Sequence, residues 1–450
     1  MFNAPYPALV SSALLFALCQ GQAAAHANAG IDAIDAIGDR ADGLAGVETT
    51  IGYLRPSPSG GFSWVCHEGV TQPDALITPQ YVENQDGTML VTVGDLAQAK
   101  NVNEAVYRST DGCDWSTTDG LSNHRIADIR FDPLNPDRAM AVSNTEGTIN
   151  GVFGSLDAGA TWGLVYAGED GRMFTSVRFA EAHEGYIWVA SMTDDGRQHI
   201  IHRSRDGGST WAHHSLPIAL AGEEVVHVAL VALDLENPDT AWISAGPFLD
   251  DTLYRTTDGG QSFEPVYHPE AAIIDGALDD AGAVWLVVSG NKVLRSTDGE
   301  TFSRLETAPL SIGVEAVGGN VMLATRVASA GTALSTCASP EYCEATPTFE
   351  VLNGPPECPQ GSDSVNLCEP LWPALERSIF GRIDSGSPDA VIGDAPEHAR
   401  STKPTSSGCA HLPPASPTAI TLWLVVLASA GSGRSRSKKK RPVKYEAFCS

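Results

Sequence analysis

Charge is scarce in this chain and basic charge scarcest: 18% of the 450 residues are charged, and 55 acidic against 28 basic side chains leave a net charge of −27. Nucleic acid and anionic lipid are therefore poor partners for the main body. No C-x-x-C or H-x-x-x-H spacing occurs, which argues against zinc. No loop reaches the D-x-D-x-D-G density of a dedicated calcium site. Asp194-Asp195, Asp250-Asp251 and Asp279-Asp280 accordingly read as solvated turns, and His199, His202, His213 and His214 as surface or strand residues. No metal and no cofactor is expected. Long apolar runs are missing except near the two ends.

The apolar run Ala8 to Cys19, followed by the small-x-small site Ala25-His26-Ala27, reads as a signal peptide over 1–27, although no Lys or Arg precedes it. A flexible segment, 28–45, is expected to follow. At the other end a linker without fixed structure, 381–414, contains Cys409. A hydrophobic stretch, 415–433, and a basic tail, 434–450, complete the chain. The apolar part of that stretch, Ala419 to Ala430, falls short of the roughly 20 residues that span a bilayer unless its flanks are counted. Cysteine, short hydrophobic helix and RSRSKKKR in that order resemble the myxobacterial C-terminal sorting signal (MYXO-CTERM), which implies surface display with Cys409 as the sorting residue. The sequence departs from that pattern by running nine residues past Arg441. The plainer alternative is a C-terminal anchor or a basic tail, and the membrane is met only through this helix.

Six cysteines remain between the ends: Cys66, Cys113, Cys337, Cys343, Cys358 and Cys368. An even set in an exported chain points to disulfides. Short spacing selects Cys337–Cys343 and Cys358–Cys368 and leaves Cys66 for Cys113, one of fifteen possible pairings.

Self-comparison finds a repeat. RSTDGCDW (Arg108 to Trp115), GSLDAGATW (Gly154 to Trp162), RSRDGGSTW (Arg203 to Trp211), RTTDGGQSF (Arg255 to Phe263) and RSTDGETF (Arg295 to Phe302) share one rule, and SPSGGFSW (Ser57 to Trp64) keeps part of it. Their first Ser or Thr residues lie 40 to 52 positions apart, the length of one small antiparallel sheet. Upstream of each lies a strand, a turn such as Asn135-Pro136-Asp137, and a second apolar strand. The fold class is therefore all-β, a propeller of four-stranded antiparallel blades. Seven blades are expected, with six or eight as alternatives, over residues 46–380. Gly313 to Leu352 would be a blade that has lost its box, and Val365 to Phe380 would complete the first blade and close the ring.

Inside each stretch Ser or Thr and Asp can bond the N–H groups of a tight turn, Gly supplies positive φ, and the aromatic anchors the turn in the core. The residues assigned this structural role are Ser109, Asp111 and Trp115; Ser155, Asp157, Gly159 and Trp162; Ser204, Asp206, Gly208 and Trp211; Thr256, Asp258, Gly260 and Phe263; and Ser296, Asp298 and Phe302. The pattern S-x-D-x-G-x-x-W resembles the Asp-box (BNR) repeat of sialidases, xyloglucanases, sortilin-type receptors and the photosystem II assembly propeller. In those families the box is structural, so the resemblance speaks to fold.

Two enzyme families share this repeat. A sialidase needs a Phe/Tyr-Arg-Ile-Pro motif near its start, and only the broken Phe380-Gly381-Arg382-Ile383 is present. A xyloglucanase shares the D-P-x-N-P turn at Asp132 to Pro136 but uses two facing propellers, and this chain is long enough for one. The remaining candidates lie on the first strand of each blade. Aligning blades by their turns sets Asp128, Ser176, Leu230 and Asp275 at one level and Arg130, Arg178, Ala232 and Ala277 two residues later, on one strand face. That face gives either a channel whose arginines hold a carboxylate or phosphate, or ion pairs between neighbouring blades, the second being favoured. His227 and Glu315 are further candidates of unfixed register. No catalytic residue is assigned. The expected function is a monomeric, exported binding or scaffold propeller for a protein or glycan, with glycoside hydrolysis as the alternative.

Overall fold

The computed structural model describes residues 33–383, apart from 71–78, 94–104, 218–226, 326–333, 347–351 and isolated positions between. The expected signal peptide, hydrophobic stretch, basic tail, Cys409 and Asp194-Asp195 lie outside the described residues. Among the described residues 28 strands, β1 to β28 in chain order, form seven four-stranded antiparallel sheets, each from four consecutive strands. The first strands are β1 (Ala33–Arg40), β5 (Gln80–Glu83), β9 (Ile126–Asp132), β13 (Arg172–Phe179), β17 (His227–Leu233), β21 (Ile273–Leu278) and β25 (Ser311–Val317). Each packs on the next around a ring that closes β25 on β1. The fourth strands form the rim: β4 (Phe62–Cys66), β8 (Ser116–Thr117), β12 (Gly163–Ala167), β16 (Ala212–Ser215), β20 (Glu264–Tyr267), β24 (Ser303–Arg304) and β28 (Tyr342–Thr346). The fold is a seven-bladed propeller, so the six- and eight-blade alternatives fall away.

Second strands such as β14 (Ile187–Thr193), β18 (Ala241–Gly246) and β22 (Val284–Val288) are buried along most of their length. A strand covered on both faces needs no polar alternation, which is why VWLVV reads as one apolar run. Each of seven apolar clusters spans two adjacent blades. Trp188 shares one with Val228 and Ile243 of the next blade, Trp242 with Ile273 and Leu286, and Trp285 with Val314 and Leu323. The seam is built the same way, Val47 and Leu54 of the first blade meeting Ala324 and Leu334 of the last. Truncating one such indole costs about 3–5 kcal/mol.

The repeated stretches join third to fourth strands. In the fourth blade Ser204 Oγ donates to Asp206 Oδ1 at 2.8 Å and accepts the Gly208 N–H at 2.8 Å, while the Trp211 indole donates to the Gly208 carbonyl at 2.9 Å. The geometry recurs at Ser155, Asp157, Gly159 and Trp162, and at Thr256, Asp258 and Gly260. The shorter copies keep the Ser-to-Asp bond, at Ser109–Asp111 and Ser296–Asp298. Phe263 is buried with Trp188, Phe302 packs against the Trp242 cluster, and Trp115 against that of Tyr53 and Tyr81. The turns also bond the first-hairpin turn of their own blade, Ala158 N–H to Asp137, Gly207 N–H to Gly185 and Gly259 N–H to Asp239. Both sets of turns therefore share one face of the ring.

The arginine just before the Ser or Thr has a role that the sequence reading did not assign. It reaches forward into the next blade: Arg108 Nε donates to the Ala158 carbonyl at 2.9 Å, Arg203 pairs with Asp239 at 2.5 Å, and Arg255 with Glu300 at 3.2 Å. Arg203 also stacks over Trp188 and Arg255 over Trp242. Gly259 accommodates this latch. Its φ is +76°, and a Cβ there would fall 1.5 Å from Arg203 Nη1.

Several expectations are corrected. Strand β1 and the start of β2 (Gly43–Thr49) fall inside the stretch assigned to a flexible segment, so the sheet begins earlier. Val365 to Phe380 adds no strand: Ser364–Cys368 forms a π-helical turn and Trp372–Ile383 a helix, α2, which continues three residues into the expected linker. (A four-residue helix, α1, His67–Val70, precedes it.) Gly313 to Leu352 does supply the last blade, β25 to β28. Cys337–Cys343 forms, but the other pairs are Cys66–Cys368 and Cys113–Cys358. The chain returns from the last blade across the first: Leu352 bridges Phe62, the Asn353 N–H donates to the Phe62 carbonyl, and Asp363 accepts the Trp115 N–H. Ring closure, not sequence spacing, brings these cysteines together. Among the described residues no helix is long and apolar enough to cross a membrane.

Candidate functional site

The first strands enclose a funnel at the centre of the ring. Its wall includes Glu83, Arg130, Arg178, Asp275 and Glu315, and it extends to Pro133, Glu181 and Leu235, just past the ends of β9, β13 and β17. Its mouth therefore lies on the face that carries the repeat turns.

The residues aligned at one level staple each blade to the next. Asp128 Oδ2 accepts the Val177 N–H at 2.9 Å, Ser176 Oγ accepts the Leu230 N–H at 2.9 Å, and Asp275 Oδ2 accepts the Val314 N–H at 2.8 Å. Leu230 occupies the level without a polar atom to pass the staple on to the sixth blade, while the junction of the fourth and fifth blades carries a second bond, from the Thr175 hydroxyl to the Val228 carbonyl at 2.6 Å. Asp128 is the most heavily engaged. It also accepts the Gln80 amide at 2.8 Å and faces Arg178 at 2.9 Å and Arg130 at 3.2 Å. The favoured ion-pair arrangement is the one observed, with Arg178 crossing from one blade to the previous one.

These partners set the charges. Burial alone would raise the Asp128 carboxyl, but Arg130, Arg178, the Gln80 amide and the Val177 N–H together hold it below its ordinary value. Asp275 goes the other way: burial raises it against the pull of the Val314 N–H and the two arginines. Desolvation at the mouth, reinforced by Asp280, raises Glu181 as well. Asp128 is thus lowered behind its two arginines, while Asp275 and Glu181 are raised.

Arg130, Arg178 and Asp275 all line the funnel, with Asp128 behind them, and Glu315 joins them. His227 does not; it lies at the exposed start of β17, near Asp251, whose carboxyl burial raises against the pull of the Ile273 N–H and of His227. Glu181 and Glu83 were missed. Glu181 follows the end of its strand, where a two-residue period carries no information, and Glu83 is held by Tyr53 at 3.0 Å and Arg55 at 2.8 Å from the first blade. The acidic pairs act as backbone acceptors: Asp251 takes the Ile273 N–H and Asp279 those of Ala281 and Ala283. His199 and His202 are buried on β15 (His199–Ser204), and His202 Nε2 meets Ser191 Oγ at 2.7 Å. Among the described residues no group of three or more His, Cys, Asp or Glu could hold a metal ion.

No family model matches the chain, and no curated protein matches it. Solved structures do resemble it. An ancestral GH74 enzyme aligns at 17% identity and TM-score 0.40 over 55% of this chain and 34% of its own. YCF48 bound to D1 peptide aligns at 18% and 0.34 over 48% of this chain and 65% of its own. A puromycin-hydrolyzing peptidase from Mycobacterium tuberculosis aligns at 14% and 0.48 over 73% and 54%. The chain thus spans about a third to two thirds of the proteins it resembles, and the likeness concerns the fold.

Proposed function

We propose that this chain is an exported Asp-box (BNR) propeller that binds a ligand in the funnel without transforming it. The observation that carries the reading is the use of the funnel's polar groups. Asp128, Ser176 and Asp275 accept N–H groups of the neighbouring blade, so they are committed to holding the wall. Arg130 and Arg178, which pair with Asp128, line the funnel together with Glu181 and Glu315, and these side chains are the ones a ligand would meet. Such a mixed lining suits a hydroxyl-rich or zwitterionic group, as on a glycan or a peptide loop. Export is supported by three disulfides and by the apolar run before Ala25-His26-Ala27. Surface display through Cys409 is part of the same proposal.

The test is a screen of the full chain against glycans and peptides, repeated with Arg130→Ala and Arg178→Ala. Affinity for the selected ligand is expected to fall at least about ten-fold. Thermal midpoints are followed in parallel, because Arg178 also ties β13 to β9. Unchanged binding in folded variants sinks the funnel reading.

A second reading, glycoside hydrolysis, draws on the two raised carboxyls in one funnel, Asp275 and Glu181, since an acid catalyst must be protonated at working pH. Release of reducing sugar from a polysaccharide panel, abolished by Glu181→Gln, would favour it over binding alone.

A further inference from the structure

The rim strands differ in what they show to solvent. Most are short or carry a charge, a histidine or a proline: Ser116–Thr117, AHHS, EPVY, Ser303–Arg304 and YCEAT. These devices keep an open sheet edge from pairing with another chain. Two rim strands are long and largely apolar, β4 (FSWVC) and β12 (GLVYA). The molecule covers β4 with its own chain: Leu352 bridges Phe62, the Trp64 N–H donates to the Gly354 carbonyl, and Trp372 packs on Trp64. Among the described residues nothing covers β12. Residues leading into it are paired, the Trp162 N–H with the Asp119 carbonyl, but β12 itself ends its sheet. Leu164 is 51% exposed, Val165 40%, and Leu156 in the preceding turn 76%.

We propose that the open edge of β12 docks an extended segment of a partner polypeptide, apolar in its middle and basic at its ends, which adds to the third blade as a fifth strand. Backbone pairing supplies the register and Leu164 and Val165 the apolar contact. Charge decides the occupant. Exposed Asp119 and Asp157 flank the start of the strand. The nearby basic groups are engaged, Arg108 with the Ala158 carbonyl and buried Arg172 with Glu169 at the strand's end. A second copy would have to approach against the repulsion of two chains that each carry −27. A segment with lysines at both ends sets one pair of them beside Asp119 and Asp157 in either strand direction. This rim site is independent of the funnel reading.

The probe is a fluorescent ten-residue peptide of alternating valine and threonine with two lysines at each end, titrated into the full chain beside the same peptide ended in glutamates. The lysine-ended form is expected to bind at least about ten-fold tighter, and Leu164→Lys with Val165→Lys to reduce its binding at least about ten-fold. Hydrogen exchange on the unaltered chain keeps the test decisive should the variant not fold. Slower exchange at 163–167 on adding peptide supports the proposal, and binding without such protection overturns it. Equal affinity for the two peptides, or full binding by a folded variant, also overturns it. So does light scattering that shows a dimer broken by the two lysines, since the edge would then belong to a second copy.

Discussion

The seam and the far arc of the ring solve the same problem with different chemistry. From the third to the sixth blade, neighbours are held by indole clusters, staples such as Asp128 to Val177, and arginine latches such as Arg203 to Asp239. Where the last, first and second blades meet, a C-terminal strap adds Cys66–Cys368 and Cys113–Cys358 to the apolar contact. A propeller can close by sharing strands from both termini within one blade. Here every blade is contiguous in sequence, so nothing in the sheets themselves crosses the seam. The lesson is that covalent closure replaces strand exchange.

The largest test is to remove that closure. Cys66→Ser with Cys368→Ser, and separately Cys113→Ser with Cys358→Ser, should each cost about 3–5 kcal/mol, because the bonds span 302 and 245 residues. Cys337→Ser with Cys343→Ser closes only six residues and should cost about 2 kcal/mol. Denaturant midpoints under oxidising conditions would measure this, and equal losses at the three sites would erase the distinction between seam and arc.

Acid should loosen the arc first, at the fourth blade. Burial and the nearby Arg172 push His199 down to about 4 and His202 to about 3, from 6.5. Between those values the unfolded chain takes up protons that the folded one refuses, so stability falls as pH drops below about 6.5 and the loss is complete near 3. The loss is about 3 kcal/mol for His199 and about 5 kcal/mol for His202. The turn aspartates act in a lower window: Asp258, which burial raises but which its bonds to Ser262, Thr256 and Gln261 together lower to about 2, stabilises above its ordinary 3.8 and loses that contribution as pH falls towards 2. His199→Gln with His202→Gln should flatten the pH dependence of the unfolding midpoint between 6.5 and 4 while leaving the lower limb intact.

The smallest effect concerns the latches. Arg203→Met keeps the stem over Trp188 but removes the pair with Asp239, and should cost about 1–2 kcal/mol. Arg377→Met, on the strap, should cost nothing measurable, since it donates only to the Pro373 carbonyl within its own helix. Thermal unfolding of both variants would sharpen the contrast, and equal midpoints would remove the latch from the account.

Much of this was legible in the sequence, and the reasons for the rest are physical. The spacing of Ser109, Ser155, Ser204, Thr256 and Ser296 fixed the period of the fold, and the arginine before three of them, Arg108, Arg203 and Arg255, was a visible signal of the latch, whereas Arg295 pairs with Asp279 of its own blade. Strand β1 was hidden because its register shifts at Ala33/Asp35, Ile37/Gly38 and Gly38/Arg40 break the period of two by which a strand is recognised. The disulfides at the seam were illegible for another reason: their partners are set by where a ring of seven blades returns, a property of the whole chain. At the funnel, alignment by turns found Asp128, Arg130, Arg178 and Asp275. It could not reach Glu181, which lies beyond the strand.

The strap also orders events in time. Every blade is made of consecutive strands, but each apolar cluster is shared with a neighbour, so a sheet is completed only when the next has followed it. The two disulfides at the seam must wait for residues 352 to 368, which follow all seven blades in the chain, and for an oxidant. Until then the ring is held at the seam by non-covalent contact alone, and the moment at which it is locked is governed by the rate at which two disulfides form.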